Sequence, residues 1–223
     1  MPTFAFYFPQ KHKNKYMRTF GSFTFEEVGE MFGIKRVFQL DLLTDWLDAP
    51  LHIDTIQAFL LNRLKNHLFK QVLNWNEDEF KMFFIGPLIE FADLETDDFK
   101  PFTQRPLKAT IQGVAVKGIV DFMISKGMRT AKPPYFCIHE YKQEVDREGD
   151  PLGQLLIAML SAQTNNEQKH PILGAYILGR SWFFVVLEEG QYAVSKLYDA
   201  SNDDIFQIFA ILQKSKEIIQ RFI

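Results

Sequence analysis

The feature that most constrains this chain is a change of rhythm near Arg105. Beyond it, short apolar runs alternate with glycine, proline and charged turns, which is the pattern of strands. Leu107–Gln112 and Val114–Ser125 read as two strands meeting at Gly113. Lys126 to Pro134 is a connector, and Tyr135–Lys142 is a third strand that starts apolar and ends charged. Asp150-Pro151 then supplies an N-cap and a first-turn proline for a helix running to about Gln163. Strands Ile172–Leu178 and Trp182–Leu187 follow, turned at Gly179-Arg180, and Glu188-Glu189-Gly190 leads to a further strand at Tyr192–Leu197. A closing helix is predicted from about Asp203 to Phe222, with Ile205, Phe209, Leu212, Ile219 and Phe222 on its buried side.

Before the change of rhythm the pattern is helical. Thr24-Phe25-Glu26-Glu27 has capping-box spacing and opens a short helix that Gly33 can close. A longer helix is expected from Ile53 to about Leu73, where Ile56, Leu60, Leu64, Leu68 and Val72 recur at helical spacing. Glu77 to Glu95 is again helical, but Gly86-Pro87 must kink it or start a new helix. The order helix, strands, helix, strands, helix predicts an α/β protein with a mixed central β-sheet flanked by helices. Residues 1–223 are read as one domain, with 1–76 a mainly helical N-terminal elaboration and 77–223 the core.

Composition narrows the class. The net charge is −3, from 25 basic and 28 acidic residues, which argues against a protein that coats DNA but permits a locally basic cleft. With one cysteine, Cys137, the chain can build neither an internal disulfide nor a thiolate zinc site, so a reducing compartment is expected. The apolar start MPTFAFYFPQ precedes its lysines, the reverse of a signal peptide, and no apolar run is long enough to span a bilayer. The expectation is therefore a soluble, cytoplasmic protein with no membrane partner.

The chemistry is carried by Glu140-Tyr141-Lys142. Alternate residues of a strand share a face, so Glu140 and Lys142 point the same way and His139 points the other. An acid, any residue and a lysine also occur at Glu79-Phe80-Lys81 and Asp98-Phe99-Lys100, but those lie in highly charged sequence and read as solvated surface pairs. Gly118-Ile119-Val120-Asp121 places a second acid near the end of an otherwise apolar strand, 19 residues before Glu140. Two inward carboxylates on adjacent strands need compensation, and Mg²⁺ prefers such hard oxygen donors.

On Asp121, the Glu140-Tyr141-Lys142 tripeptide and the element order around them, the chain resembles the PD-(D/E)XK nuclease superfamily, the restriction-endonuclease-like fold. The resemblance covers about Glu77 to Leu197, and Val120 stands where the motif's proline would be. It implies a metal-dependent nuclease hydrolysing phosphodiester bonds of nucleic acid, with DNA the expected substrate. Mg²⁺, or Mn²⁺ in its place, would be held by Asp121, Glu140 and the backbone carbonyl of Tyr141, and Lys142 would orient or deprotonate the attacking water. Many members add an acid from the helix before the sheet, for which Glu90 is the candidate. One branch uses a glutamine followed four residues later by tyrosine on the helix after the lysine strand. Gln154 stands at that place, but Ala158 follows it, so Gln154 is either a residue orienting Lys142 or substrate, or an ordinary solvated glutamine.

His139, Trp46, Trp75 and Trp182 are read as core. Lys11 to Lys15 with Arg18, and Lys126, Arg129 and Lys132 in the connector, are each either phosphate contacts or solubilising loops; the second group is expected nearer the site. The alternative function is a catalytically inactive nuclease-like binding or assembly module, with a protein partner or a second copy of the chain.

Overall fold

The computed structural model describes residues 17–145 and 148–223. In chain order it holds β1 (Arg18–Thr19), a 3₁₀ turn, α1 (Phe25–Phe32), β2 (Lys35–Arg36), α2 (Asp41–Leu47), α3 (Thr55–Gln71) and α4 (Glu77–Phe80). A π-turn (Lys81–Ile85) and α5 (Gly86–Ala92) lead to β3 (Lys100–Ile111), β4 (Val114–Lys126) and β5 (Lys132–Lys142). Then come α6 (Pro151–Asn165), β6 (Ile172–Leu178), β7 (Ser181–Glu188), β8 (Gln191–Val194), β9 (Tyr198–Asp199) and α7 (Asp204–Gln220).

The expected α/β class and mixed sheet are present. The strands run β3-β4-β5-β6-β7-β8-β2, with β1 also on β4 and β9 on β7. β5–β6 is parallel, joined through α6, while β3–β4, β4–β5, β6–β7 and β7–β8 are antiparallel. Alternation sorts each strand between two apolar layers. Phe184 and Val186 of β7 face a layer built with α2, α3, α5 and α7, whereas Val185 and Leu187 face α6 and α1. The first layer is one continuous core from Leu43 to Ile219, so the N-terminal helices share it with α7. Trp46 is fully buried there and donates its indole N–H to Ile211 O at 2.9 Å. Trp75 and Trp182 are buried in the same core.

Local signals hold where they are self-contained. Thr24 and Glu27 close their capping box, Gly33 ends α1 at φ +73°, and the Asp150 carboxylate accepts from Gly153 N–H ahead of Pro151. Differences arise where tertiary pairing decides. β3 begins at Lys100, seven residues before the expected Leu107, because its first half finds a ladder partner in Phe122–Ser125. The last expected strand ends at Val194. On α3 the buried line is Leu61, Leu64 and Leu68, continuing to Val72, while Ile56 faces out at 71% exposure. Among the described residues no helix is long and apolar enough to cross a membrane.

Pro87 explains the π-turn that joins α4 to α5. It has no N–H and its ring collides with the carbonyl four residues back, so the ladder slips by one residue. Gly86 N–H then donates to Lys81 O, closing the wider π-turn. A Cβ at Gly86 would sit 3.3 Å from that oxygen, a close approach that favours glycine.

Candidate active site

The site lies where the β4–β5 seam opens. β3 takes one edge of β4 along almost its whole length, and the other edge is shared. β1 pairs it at Val116 and Lys117, and β5 pairs it from Phe122 onward. Asp121 stands in the gap between them. One step past the last β4–β5 pair, Phe122 with His139, the same register sets Asp121 across from Glu140. Neighbouring positions across an antiparallel pair share a face, and both residues are buried, at 9% and 8% exposure.

Both carboxylate oxygens of Asp121 are engaged. Oδ2 accepts from the Tyr141 backbone N–H at 2.8 Å. Oδ1 accepts from Lys81 Nζ at 2.7 Å and from Gln104 Nε2 at 2.8 Å. Gln104 reaches it from β3, where the ladder skips one pair and its backbone adopts φ +51°. A non-glycine residue there stores strain that the Asp121 contact offsets.

Lys142 Nζ lies 3.0 Å from Glu140 Oε1 and 3.6 Å from Glu77 Oε2. The Lys142 carbonyl accepts from Gly179 N–H at 2.9 Å, which ties the end of β5 to the β6–β7 turn. Glu77, in the first turn of α4, also takes Lys81 Nζ at 2.5 Å on Oε1. The result is an unbroken alternation of charge: Asp121, Lys81, Glu77, Lys142, Glu140.

Burial and the nearby Asp121 charge push the Glu140 carboxyl up to about 7, although Lys142 opposes them. Burial alone would lower both lysines, but their carboxylate partners outweigh it. Glu140 and Glu77 hold Lys142 above its ordinary value, and Asp121 and Glu77 do the same for Lys81. Lys142 therefore enters this site as an ammonium, not as the free base a lowered pKa would supply.

A cleft of about 700 Å³ opens beside the Asp121–Lys81–Glu77 end of this charge series, lined among others by Glu77, Lys81, Gln104, Asp121 and Tyr141, while Glu140 and Lys142 lie outside its lining. Glu90, on α5, lines the same cleft, but its carboxylate has no ion pair among the described residues. Gln154 sits instead against Gly21 and Gly149, and has no hydrogen bond to Asp121, Glu140 or Lys142. His139 is buried on the opposite face, stacked on Phe122 at 4.6 Å and hydrogen-bonded to Tyr141 Oη at 3.0 Å. Burial lowers its pKa to about 3, which keeps it neutral.

Two expectations about charge are corrected. The Glu79-Phe80-Lys81 segment is not a solvated pair, since Lys81 points into the site. The connector basics are not near it: Lys126 and Lys132 pair at the far end of β4 and β5. That end is about 17 Å of extended strand away from Asp121. Arg18 is engaged by Glu27 at 3.3 Å, and Lys11 to Lys15 lie outside the described residues.

Glu77, Lys81 and Gln104 were not identified from sequence. Glu77 and Lys81 did carry one signal, the i,i+4 spacing of a facing pair. It reads the same on a solvated helix.

The donor set suits a hard cation. Two buried carboxylates share one face with a third nearby, and burial with the Asp121 charge makes Glu140 resist ionisation. Mg²⁺ needs only one or two protein carboxylates and keeps its waters. Among the described residues no three His, Cys, Asp or Glu side chains form a ready-made cage. The two lysines occupy the space between the acids. No protein-family model matches the chain, and no curated protein matches it in sequence.

Proposed function

We propose that this protein is a metal-dependent nuclease of the PD-(D/E)XK kind, acting on phosphodiester bonds of nucleic acid, with DNA the first substrate to test. The observation that carries the reading is the convergence of Asp121, Glu140 and Lys142 at one splayed strand seam, where Asp121 also lines an open cleft. Sequence separation alone does not require those three residues to meet.

Asp121 and Glu140 would hold the ion. Mg²⁺, when bound, polarises a phosphoryl oxygen and lowers the pKa of water. Tyr141 N–H and Gln104 fix the Asp121 carboxylate so that it does not have to reorganise. Lys142, charged and tethered by Glu140 and Glu77, orients the attacking water by donating to it and offsets negative charge on the phosphate. Glu77 supports the reading in the part expected of Glu90, an acid brought from the helix before the sheet.

Cleavage of single- and double-stranded DNA and RNA, screened with Mg²⁺ and Mn²⁺, tests it. Wild type should cut at least one substrate and Asp121→Asn should not. Equal cleavage by both would refute the site.

One observation favours the alternative of an inactive nuclease-like binding module. Lys81 and Lys142 already neutralise most of the acids, so the site is satisfied without an ion. Substrate binding with no cleavage in either metal, and no effect of Asp121→Asn on that binding, is its signature.

A further inference from the structure

We infer that Lys81 is the resident counter-cation of this site: its ammonium, bridging Asp121 and Glu77, occupies the Asp121 oxygen that an ion held by Asp121 and Glu140 would need, and an ion enters by displacing it. The inference rests on the metal reading above and goes beyond it, because it concerns how the site exists without the ion and what loading requires.

The geometry is that of a cation in a carboxylate bridge. Lys81 Nζ lies 2.7 Å from Asp121 Oδ1 and 2.5 Å from Glu77 Oε1, with the side chain largely buried. Of the three donors on Asp121, the Tyr141 N–H is fixed in the backbone and Gln104 is neutral. Lys81 alone brings charge on a flexible stem, so it is the donor that an incoming ion would move. Lys142 differs, being paired with Glu140 and Glu77 and not with Asp121.

The backbone is built for this placement. Lys81 opens the π-turn forced by Pro87, and its carbonyl takes the i+5 bond from Gly86. Single π-turns inside helices recur at functional sites. Charge balance points the same way. With all groups ionised, three carboxylates and two ammoniums leave the ring at −1, so a divalent ion added beside both lysines would make it +1. Moving Lys81 out of the bridge relieves that repulsion.

The test is calorimetric titration of Mn²⁺ into the full chain as wild type, Lys81→Met and Lys81→Gln, with melting curves to establish folding. Both variants should bind one ion at least tenfold more tightly than wild type, and adding Asp121→Asn should abolish that binding. If wild type binds and the variants bind equally or more weakly, displacement is overturned while the metal reading stands. If neither wild type nor the variants bind Mn²⁺, the metal reading falls and takes the inference with it. Should neither variant fold, NMR of the wild-type Lys81 ammonium decides. Its resonance must move as Mg²⁺ is added, and a resonance that stays put overturns displacement.

Discussion

Replacing Glu140 by glutamine tests the electrostatics of the site without needing a substrate. The amide has the shape of a protonated carboxyl but cannot ionise. In the folded protein Glu140 titrates at about 7, against an ordinary 4.5, chiefly because it is buried. The folded state therefore binds this proton more readily than the unfolded chain between those two values. Its contribution to stability is fully present below pH 4.5 and is lost as pH rises through 7. The gap is about 2.5 pH units, and each unit corresponds to ~1.4 kcal/mol, so the loss is at most about 3.5 kcal/mol. His139 works in the opposite sense: its folded pKa is depressed, so the stability it contributes is present above its unfolded 6.5 and is lost as pH falls. A wild-type profile alone would blend the two. The difference between Glu140→Gln and wild type isolates Glu140 and also removes the constant offset from the lost Lys142 ion pair. Urea unfolding in a chelator at pH 5, 6, 7 and 8 should show the variant gaining on wild type by about 2–3 kcal/mol across that range. Mg²⁺ should then restore wild type at pH 8 and leave the variant unmoved. A difference constant to within about 0.5 kcal/mol from pH 5 to 8 would refute the burial argument, since one pH unit of displacement alone is worth ~1.4 kcal/mol.

Lys142→Ala should keep the ion, measured by Mn²⁺ titration, yet lose cleavage by roughly two to three orders of magnitude, the cost of losing one charge-stabilising donor. Lys142→Arg should rescue poorly, because a planar guanidinium does not replace a compact ammonium between Glu140 and Glu77. Equal cleavage by Lys142→Ala and wild type would make the lysine structural. Away from the site, Gly153→Ala should destabilise by about 1–3 kcal/mol or more in a thermal melt. Its Cβ would lie 2.5 Å from Phe23 O and 2.6 Å from Thr24 C, in backbone that cannot swing aside. An unchanged melting temperature would mean that α6 and the start of α1 are not in close contact.

The sequence alone determined what short-range stereochemistry controls. Two-residue alternation places Glu140 and Lys142 on one face and turns His139 into the core. Capping chemistry at Thr24 and Asp150 sets where α1 and α6 begin, and Pro87 requires an irregularity in its helix, met by a π-turn. Only the tertiary structure decided which charges meet. Lys81 and Gln104 reach Asp121 from 40 and 17 residues away. Nothing near them in sequence separates a lysine in water from one in a carboxylate bridge. Glu77, not Glu90, faces Lys142 because the π-turn sets how α4 and α5 follow one another, and a helical pattern does not encode that phase. The connector lysines fell at the wrong end of the sheet because strand direction, a non-local property, fixes which end of β4 and β5 splays open. Periodicity is a property of neighbours along the chain, whereas an ionic site is a property of neighbours in space.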